Sequence, residues 1–231
     1  QKIDSRRWVR WLGWIALVLV SVQGIMGGLR VTENSIPLAI VHGVTAQIFF
    51  CLVILIAAAL SPAWSRPLRT PEMASRVARL KSWAWVMVVF LLIQLILGAV
   101  MRHLNAGLAM PFFPFDDEGN FMPRVHNMYV DIHFTHRVWA FVVTGVGMVL
   151  GIKGLRAAGG DSRILLPSVF IMALVLFQIY LGAQVIWTGR ASVPTSLHVV
   201  NGALILGFSF ILLVRSSYYA SLEARSNQPQ S

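Results

Sequence analysis

The chain has 231 residues, 57% hydrophobic and 12% charged, with a mean hydropathy of +0.70. A soluble domain carries about 45–50% apolar and about 25% charged residues, so this chain lacks the polar surface to coat one globule and a single soluble domain is excluded. The net charge of +10 does not point to nucleic acid, because the basic residues lie between long apolar stretches, where the positive-inside rule places them.

Uncharged stretches run over 11–29, 34–65, 82–101, 164–189 and 191–214. Each is long enough to cross a bilayer as a helix, which takes roughly 17–25 residues. In chain order the pattern predicts spanning helices over about 8–30, 36–60, 82–103, 127–151, 163–188 and 193–215. Only helices or closed barrels satisfy every backbone group in lipid, and no period of two supports a barrel. The expected fold is therefore all-α, a polytopic membrane helical bundle with six transmembrane helices. Fourteen Lys and Arg fall at 2–10, 66–81, 153–163 and 215–225. Only Arg30, Arg102, Arg124 and Arg190 fall on the other side, beside Asp116, Asp117 and Glu118. Both termini of the chain are expected to be cytoplasmic, with the long loop 104–126 outside. Cys51 is alone in an apolar run, so there is no disulfide framework. The chain opens on Gln1, and we expect the start of a longer protein to precede it.

Three segments share a pattern near the outer end of an odd-numbered helix: Gln23 to Gly28, Gln94 to Ala99 and Gln178 to Ala183 each read Gln-x-x-x-Gly-small. Each following helix then carries a histidine near its outer start, His42, His136 or His198, with a small residue one turn on, Ala46, Ala140 or Gly202. The Gln-to-His spacing is 19, 42 and 20 residues, the middle value lengthened by the outer loop. Long-loop and short-loop pairs alternate, which suggests a four-helix repeat. Residues 82–216 are then one complete copy, and 1–61 the second half of an earlier copy, its first two helices expected upstream. Residues 62–81 form a cytoplasmic linker and 217–231 a cytoplasmic tail.

Ionisable residues inside spans are costly and mark function by default. Imidazole is a common metal and haem ligand, and facing helices of a bundle are where cofactors sit. A small residue at i+4 shares the histidine's helix face and would clear room for a flat macrocycle. Histidines that merely hydrogen-bond between packed helices are the competing reading; three at matched depth in one repeat favour ligands. For the Gln-x-x-x-Gly segments alone, helix packing is the better reading. Arg137, next to His136, needs an anion or a route to the interface, and a haem propionate would supply the anion. His133 is open between proton donor, partner to a ligand and interfacial residue. His103 and His126 border the loop and read as interfacial. No cysteine cluster, intramembrane carboxylate pair or phosphate loop is present, and Asp131 is the only acid near the histidines.

These residues resemble the heme A synthase family. QGIMGGLRV with AIVHGVTAQIFF resembles that family's fourth-helix region and the helix before it. QLILGAVMRH, NAGLAMP and IHFTHR resemble the start of its C-terminal half, and QIYLGAQVIWT with PTSLHVVNGALIL its last two helices. The match covers nearly the whole chain. The resemblance implies an eight-helix inner-membrane enzyme of two four-helix halves, of which this chain would hold six helices, and the short loops favour a bacterial inner membrane. The resemblance also implies oxidation of a ring methyl of heme O to a formyl group through a hydroxylated intermediate, for cytochrome oxidase biogenesis. By resemblance His136 and His198 ligate the iron of a resident haem b and His42 is one histidine of the substrate half; with Arg137 read as meeting a propionate, the expected mechanism has heme O bound near His42 as the catalytic-side and metal-binding histidine. Heme O synthase and cytochrome oxidase assembly factors are implied as partners, with membrane lipid, no nucleic acid, an unnamed electron donor and a homo-oligomer left open. The outer loop has no cysteine pair, and Pro111-Phe112-Phe113-Pro114 puts Phe112 where the family usually has an acid. The rival readings are a non-catalytic membrane cytochrome b serving quinone and a haem-binding assembly or transport factor.

Overall fold

A computed structural model describes residues 4–64, 66–116 and 118–226. The described residues form seven α-helices: α1 (Arg7–Thr32), α2 (Ile36–Leu60), α3 (Pro71–Ala78), α4 (Lys81–His103), α5 (Met128–Ala158), α6 (Ser162–Trp187) and α7 (Ser192–Ser226), with a single 3-10 turn at Ala106–Leu108. Six segments, with α3 and α4 counted as one, are long and apolar enough to cross a membrane. The protein is an all-α, multi-pass membrane protein.

The chain divides into two compact units, residues 1–67 and 68–231. In the first, α1 and α2 pack as an antiparallel pair. Ser35 caps α2 by accepting from the Leu38 amide, with Pro37 in the first turn, where a missing N–H costs nothing. In the second unit α4 packs on α5 and α7, and α6 packs on the same two helices. The four helices thus form a ring in which α5 and α7 are diagonal. Its core is apolar: Met87, Leu150, Ile171, Ile205, Leu206 and Leu212 are fully buried.

Along α5, Gly147, Gly151 and Gly154 form a seam against α6. A Cβ on Gly147 would lie 2.9 Å from Val175, one on Gly151 would collide with Met172, and one on Gly154 with Ser168. Small residues let helix backbones approach where lipid offers no hydrophobic drive. Replacing Gly151 with leucine is expected to cost about 1–3 kcal/mol by overpacking, read as a lower unfolding midpoint in detergent. Gly145→Leu, on the same helix with open space around it, should leave the midpoint unchanged.

Three differences from the sequence reading have physical causes. Segment 62–81 contains α3, started by Thr70 capping the Met73 amide and by Pro71. It buries Met73, Val77 and Ala78 and packs on α7 and α5. Helix α7 continues to Ser226, past Arg215, because Tyr219 is buried in the same packing. Helix α5 runs on to Ala158 and stops only at Gly159 and Gly160, with φ of +49° and +81°, a left-handed conformation glycine adopts freely.

Asp161 starts α6. Its carboxylate accepts from the Arg163 amide at 2.9 Å and pairs with the Arg163 guanidinium. That guanidinium hydrogen bond holds the Asp161 carboxyl below the usual carboxylate range. The stabilisation is therefore present above the ordinary aspartate value and is lost as pH falls through the lowered one. Asp161→Ala is expected to cost about 1–2 kcal/mol, as for other helix caps, and to remove that acid-side dependence in a pH series of unfolding midpoints.

Candidate haem-ligand site

The three histidines sit in one recurring arrangement. A Cβ on Gly98 of α4 would lie 3.0 Å from His136 Cε1, one on Gly182 of α6 would lie 3.4 Å from His198 Cε1, and one on Gly27 of α1 would lie 3.2 Å from His42 Cε1. Each glycine follows its glutamine by four residues, so both lie on the helix face turned to the next helix. The packing expected of the Gln-x-x-x-Gly segments is thus specific: what packs there is the imidazole of the following helix.

The glutamines complete the device. Gln94 Nε2 donates to the His136 carbonyl at 3.1 Å and lies 3.3 Å from each ring nitrogen. Gln178 Nε2 donates to the His198 carbonyl at 3.0 Å. In the first unit Gln23 Nε2 donates to the Thr45 hydroxyl, which donates in turn to the Val41 and His42 carbonyls. The residue three after each histidine is part of the same pattern. Trp139 Nε1 donates to the Phe90 carbonyl at 3.0 Å, and Asn201 Nδ2 donates to the Leu174 carbonyl at 2.9 Å and to Gln178 Oε1 at 2.6 Å. Phe90 and Leu174 each precede their glutamine by four residues. A tryptophan and an asparagine therefore tie the same two turns together in the two pairs of the second unit. A Cβ on Gly202 would lie 3.5 Å from Gln178 Nε2, an ordinary van der Waals contact.

His136 and His198 come from diagonal helices of the ring. Both are half-buried. His198 Nδ1 is buried without a hydrogen-bond partner, as is His42 Nδ1 in the first unit. Among the described residues no group of three or more His, Cys, Asp or Glu comes together. The donor set is a pair of imidazoles, not the cage a bare metal ion takes.

Arg137 is only 7% exposed. Its Nη2 donates to the Met110 carbonyl at 2.6 Å, its Nε donates to His133 Nε2 at 3.1 Å, and the Phe113 ring lies 5.5 Å from the guanidinium. Nη1 is buried with no partner, and no carboxylate among the described residues pairs with this cation. A buried charge in that condition is costly, and an anionic group beside Nη1 would relieve it. His133 also faces the Met110 amide at 3.3 Å through Nδ1. A neutral imidazole has one lone pair, so it accepts from only one of these two donors at a time. Sequence reasoning left the role of His133 open, and these contacts make it the partner of Arg137. His126 pairs with Asp131 at 2.8 Å on the exposed start of α5, so the acid nearest in sequence serves His126. His103 closes α4. The contribution of Met110 was not legible, because a backbone carbonyl acceptor carries no residue signature.

Fold and site together define a multi-pass helical membrane protein that holds two imidazoles on diagonal helices beside a buried cation. Residues 1–210 match the model of the COX15-CtaA family, cytochrome oxidase assembly protein, and the chain belongs to that family. It is similar to the heme A synthase of Beijerinckia indica subsp. indica, 30% identical over 222 residues covering 84% of this chain and 57% of that protein. It is also similar to the heme A synthase of Bradyrhizobium sp. strain BTAi1, 27% identical over 215 residues covering 87% and 58%. The heme A synthase of Shouchella clausii is 23% identical over 206 residues, covering 88% and 66%. The chain thus spans less than two thirds of the length of these relatives.

Proposed function

We propose that this protein acts in heme A synthesis, oxidising a ring methyl of heme O to a formyl group through a hydroxylated intermediate. The observation that carries the reading is the imidazole pair of His136 and His198, set beside an Arg137 nitrogen that is buried and unpaired. This donor set fits a haem b: His136 and His198 would each offer an imidazole nitrogen to the iron, and Arg137 would offer a charge-assisted donor to a propionate. When bound, that haem supplies a one-electron redox centre; the protein's part is orientation and electrostatics. Gly98 and Gly182 give the two imidazoles their places, and Gln94 and Gln178 fix the turns that carry them. Arg137 is itself held by the Met110 carbonyl and, when His133 accepts through Nε2, by His133, and neither contact uses Nη1. In the first unit Gly27 and Thr45 give His42 the same support, and we assign His42 to the iron of heme O as substrate. The substrate would come from a heme O synthase, and the product would go to cytochrome oxidase assembly. The bias of Lys and Arg supports cytoplasmic termini for this chain, and the short loops between spans support a bacterial inner membrane.

The test is mass-resolved identification of hemes extracted from the protein purified from membranes supplied with heme O. Haem B together with hydroxylated heme O or heme A is the expected result. Haem B alone would replace the proposal with an electron-carrying cytochrome b. No haem at all would leave the histidines as helix-packing residues.

A further inference from the structure

The loop between α4 and α5 exposes apolar side chains that neither the imidazole pair nor the Arg137 contacts require. Phe115, Phe121, Met122 and Val125 are all exposed, Met122 at 63% and Val125 at 68%. The position of the bilayer along α5 says what they meet. This helix has 31 residues, about 46 Å at 1.5 Å per residue, whereas the hydrocarbon core takes about 20. Lys153 lies against the ring of Trp83, 5.3 Å from its centroid. A cation with an exposed tryptophan is the usual marker of one membrane interface. Counting about 20 residues back along α5 from Lys153 brings the opposite boundary to His133 and Phe134.

Phe121 packs at that boundary. Its ring centroid is 5.8 Å from Phe134 and 6.4 Å from Phe141. Phe134 and Phe141 are two turns apart and share one face of α5, and Phe141 is exposed. On a helical projection this face points well away from the buried Gly147 and Gly151. The loop is therefore continuous with the lipid-facing side of the bundle. Between Phe115 and Phe121 the loop carries polar groups. Asp116 accepts from the amides of Glu118 and Asn120 in a tight turn, and Arg124 pairs with Glu118 at 2.6 Å. The Asn120 amide holds the Asp116 carboxyl below the usual range, so the turn stays charged. Irregular backbone is not tolerated bare in hydrocarbon. Backbone at headgroup level with only side chains dipping into the acyl region satisfies both facts.

We propose that this loop is an interfacial membrane anchor, with Phe121, Met122 and Val125 inserted at the boundary between lipid headgroups and acyl chains and with Asp116, Glu118 and Asn120 in water. The partner is the lipid surface. The inference is independent of the haem reading. The chain holds one cysteine, the buried Cys51, so Cys51→Ala gives a background for single labels. Met122→Cys, Val125→Cys and Glu118→Cys are each labelled with an environment-sensitive fluorophore and reconstituted into phosphatidylcholine vesicles. Labels at 122 and 125 are expected to show blue-shifted emission quenched by shallow nitroxide-labelled lipid and little by aqueous iodide. The label at 118 should show the reverse. Iodide quenching equal at all three sites overturns the anchor. Blue-shifted emission at 122 and 125 that neither quencher reaches also overturns it, since protein would then cover the loop. If one of the two apolar-site variants fails to accumulate, the other carries the same test.

Discussion

His198→Ala yields a protein that is inserted and folded but retains less than about a tenth of the wild-type haem B, read by pyridine haemochrome against protein content. The expectation follows from which atoms the substitution removes. Gln178 donates to the carbonyl of residue 198, not to its ring, and alanine keeps that carbonyl. The ring's own Nδ1 has no protein partner. Removing the imidazole therefore breaks no hydrogen bond within the protein, and Asn201 still ties α7 to the Leu174 carbonyl. What is lost, on the proposed assignment, is an imidazole nitrogen that would hold the haem iron. Loss of a mere supporting partner typically costs 10–100-fold in metal affinity, so loss of the ligand itself should exceed that. His136→Ala should behave alike, because Gln94 likewise keeps the residue 136 carbonyl. Full haem content in either variant would sink the assignment. So would haem loss in a variant whose unfolding midpoint falls well below that of the haem-free wild type, which would make the histidine a packing residue.

The parts of the molecule legible in the sequence were those written in side-chain chemistry over many residues. Helix α2 runs over the expected 36–60 because Ser35 and Pro37 mark its start and Ser61 with Pro62 its end. Helix α5 overran its expected end because Lys153 and Arg156 mark where the bilayer stops, and a charged residue does not stop a helix. Helix α3 was missed because eight residues with Met73 and Val77 at i and i+4 give too short a pattern to stand out beside apolar spans. At the site, the Gln-x-x-x-Gly segments and the histidines were visible as a repeat, but their physical link was not. Glycine makes no contact of its own, so what it admits can be known only once the neighbouring helix is placed. Trp139 and Asn201 were hidden differently: they share a task while sharing no chemistry beyond an N–H, and their acceptors are the backbone carbonyls of Phe90 and Leu174. Backbone acceptors also hid the hold of Met110 on Arg137.

That link between glycine and imidazole predicts a graded series. At Gly98 an added Cβ would lie 3.0 Å from His136 Cε1, whereas at Gly182 it would lie 3.4 Å from His198 Cε1, already ordinary van der Waals contact. Alanine at 182 should be tolerated and alanine at 98 should not. The imidazole is rigid, so at Gly98 either the ring tilts away or α4 and α5 separate. Separation is opposed by the Trp139 bond to Phe90, one turn before Gln94 on α4. The ring is expected to move, and a ring held a few tenths of an ångström from its place no longer points its ligand nitrogen correctly. Overpacking of this kind costs about 1–3 kcal/mol, which corresponds to roughly 5- to 150-fold in haem retention. Gly98→Ala should therefore shift the haem spectrum and lower haem content, while Gly182→Ala stays near wild type. Gly145→Ala, with nothing within 4 Å, is the control. Valine at 182 would restore the clash and should reproduce the loss seen at 98. Equal haem loss from alanine at both sites would mean that the glycines serve only helix approach, and the imidazoles would then owe their positions to something other than the space those glycines leave.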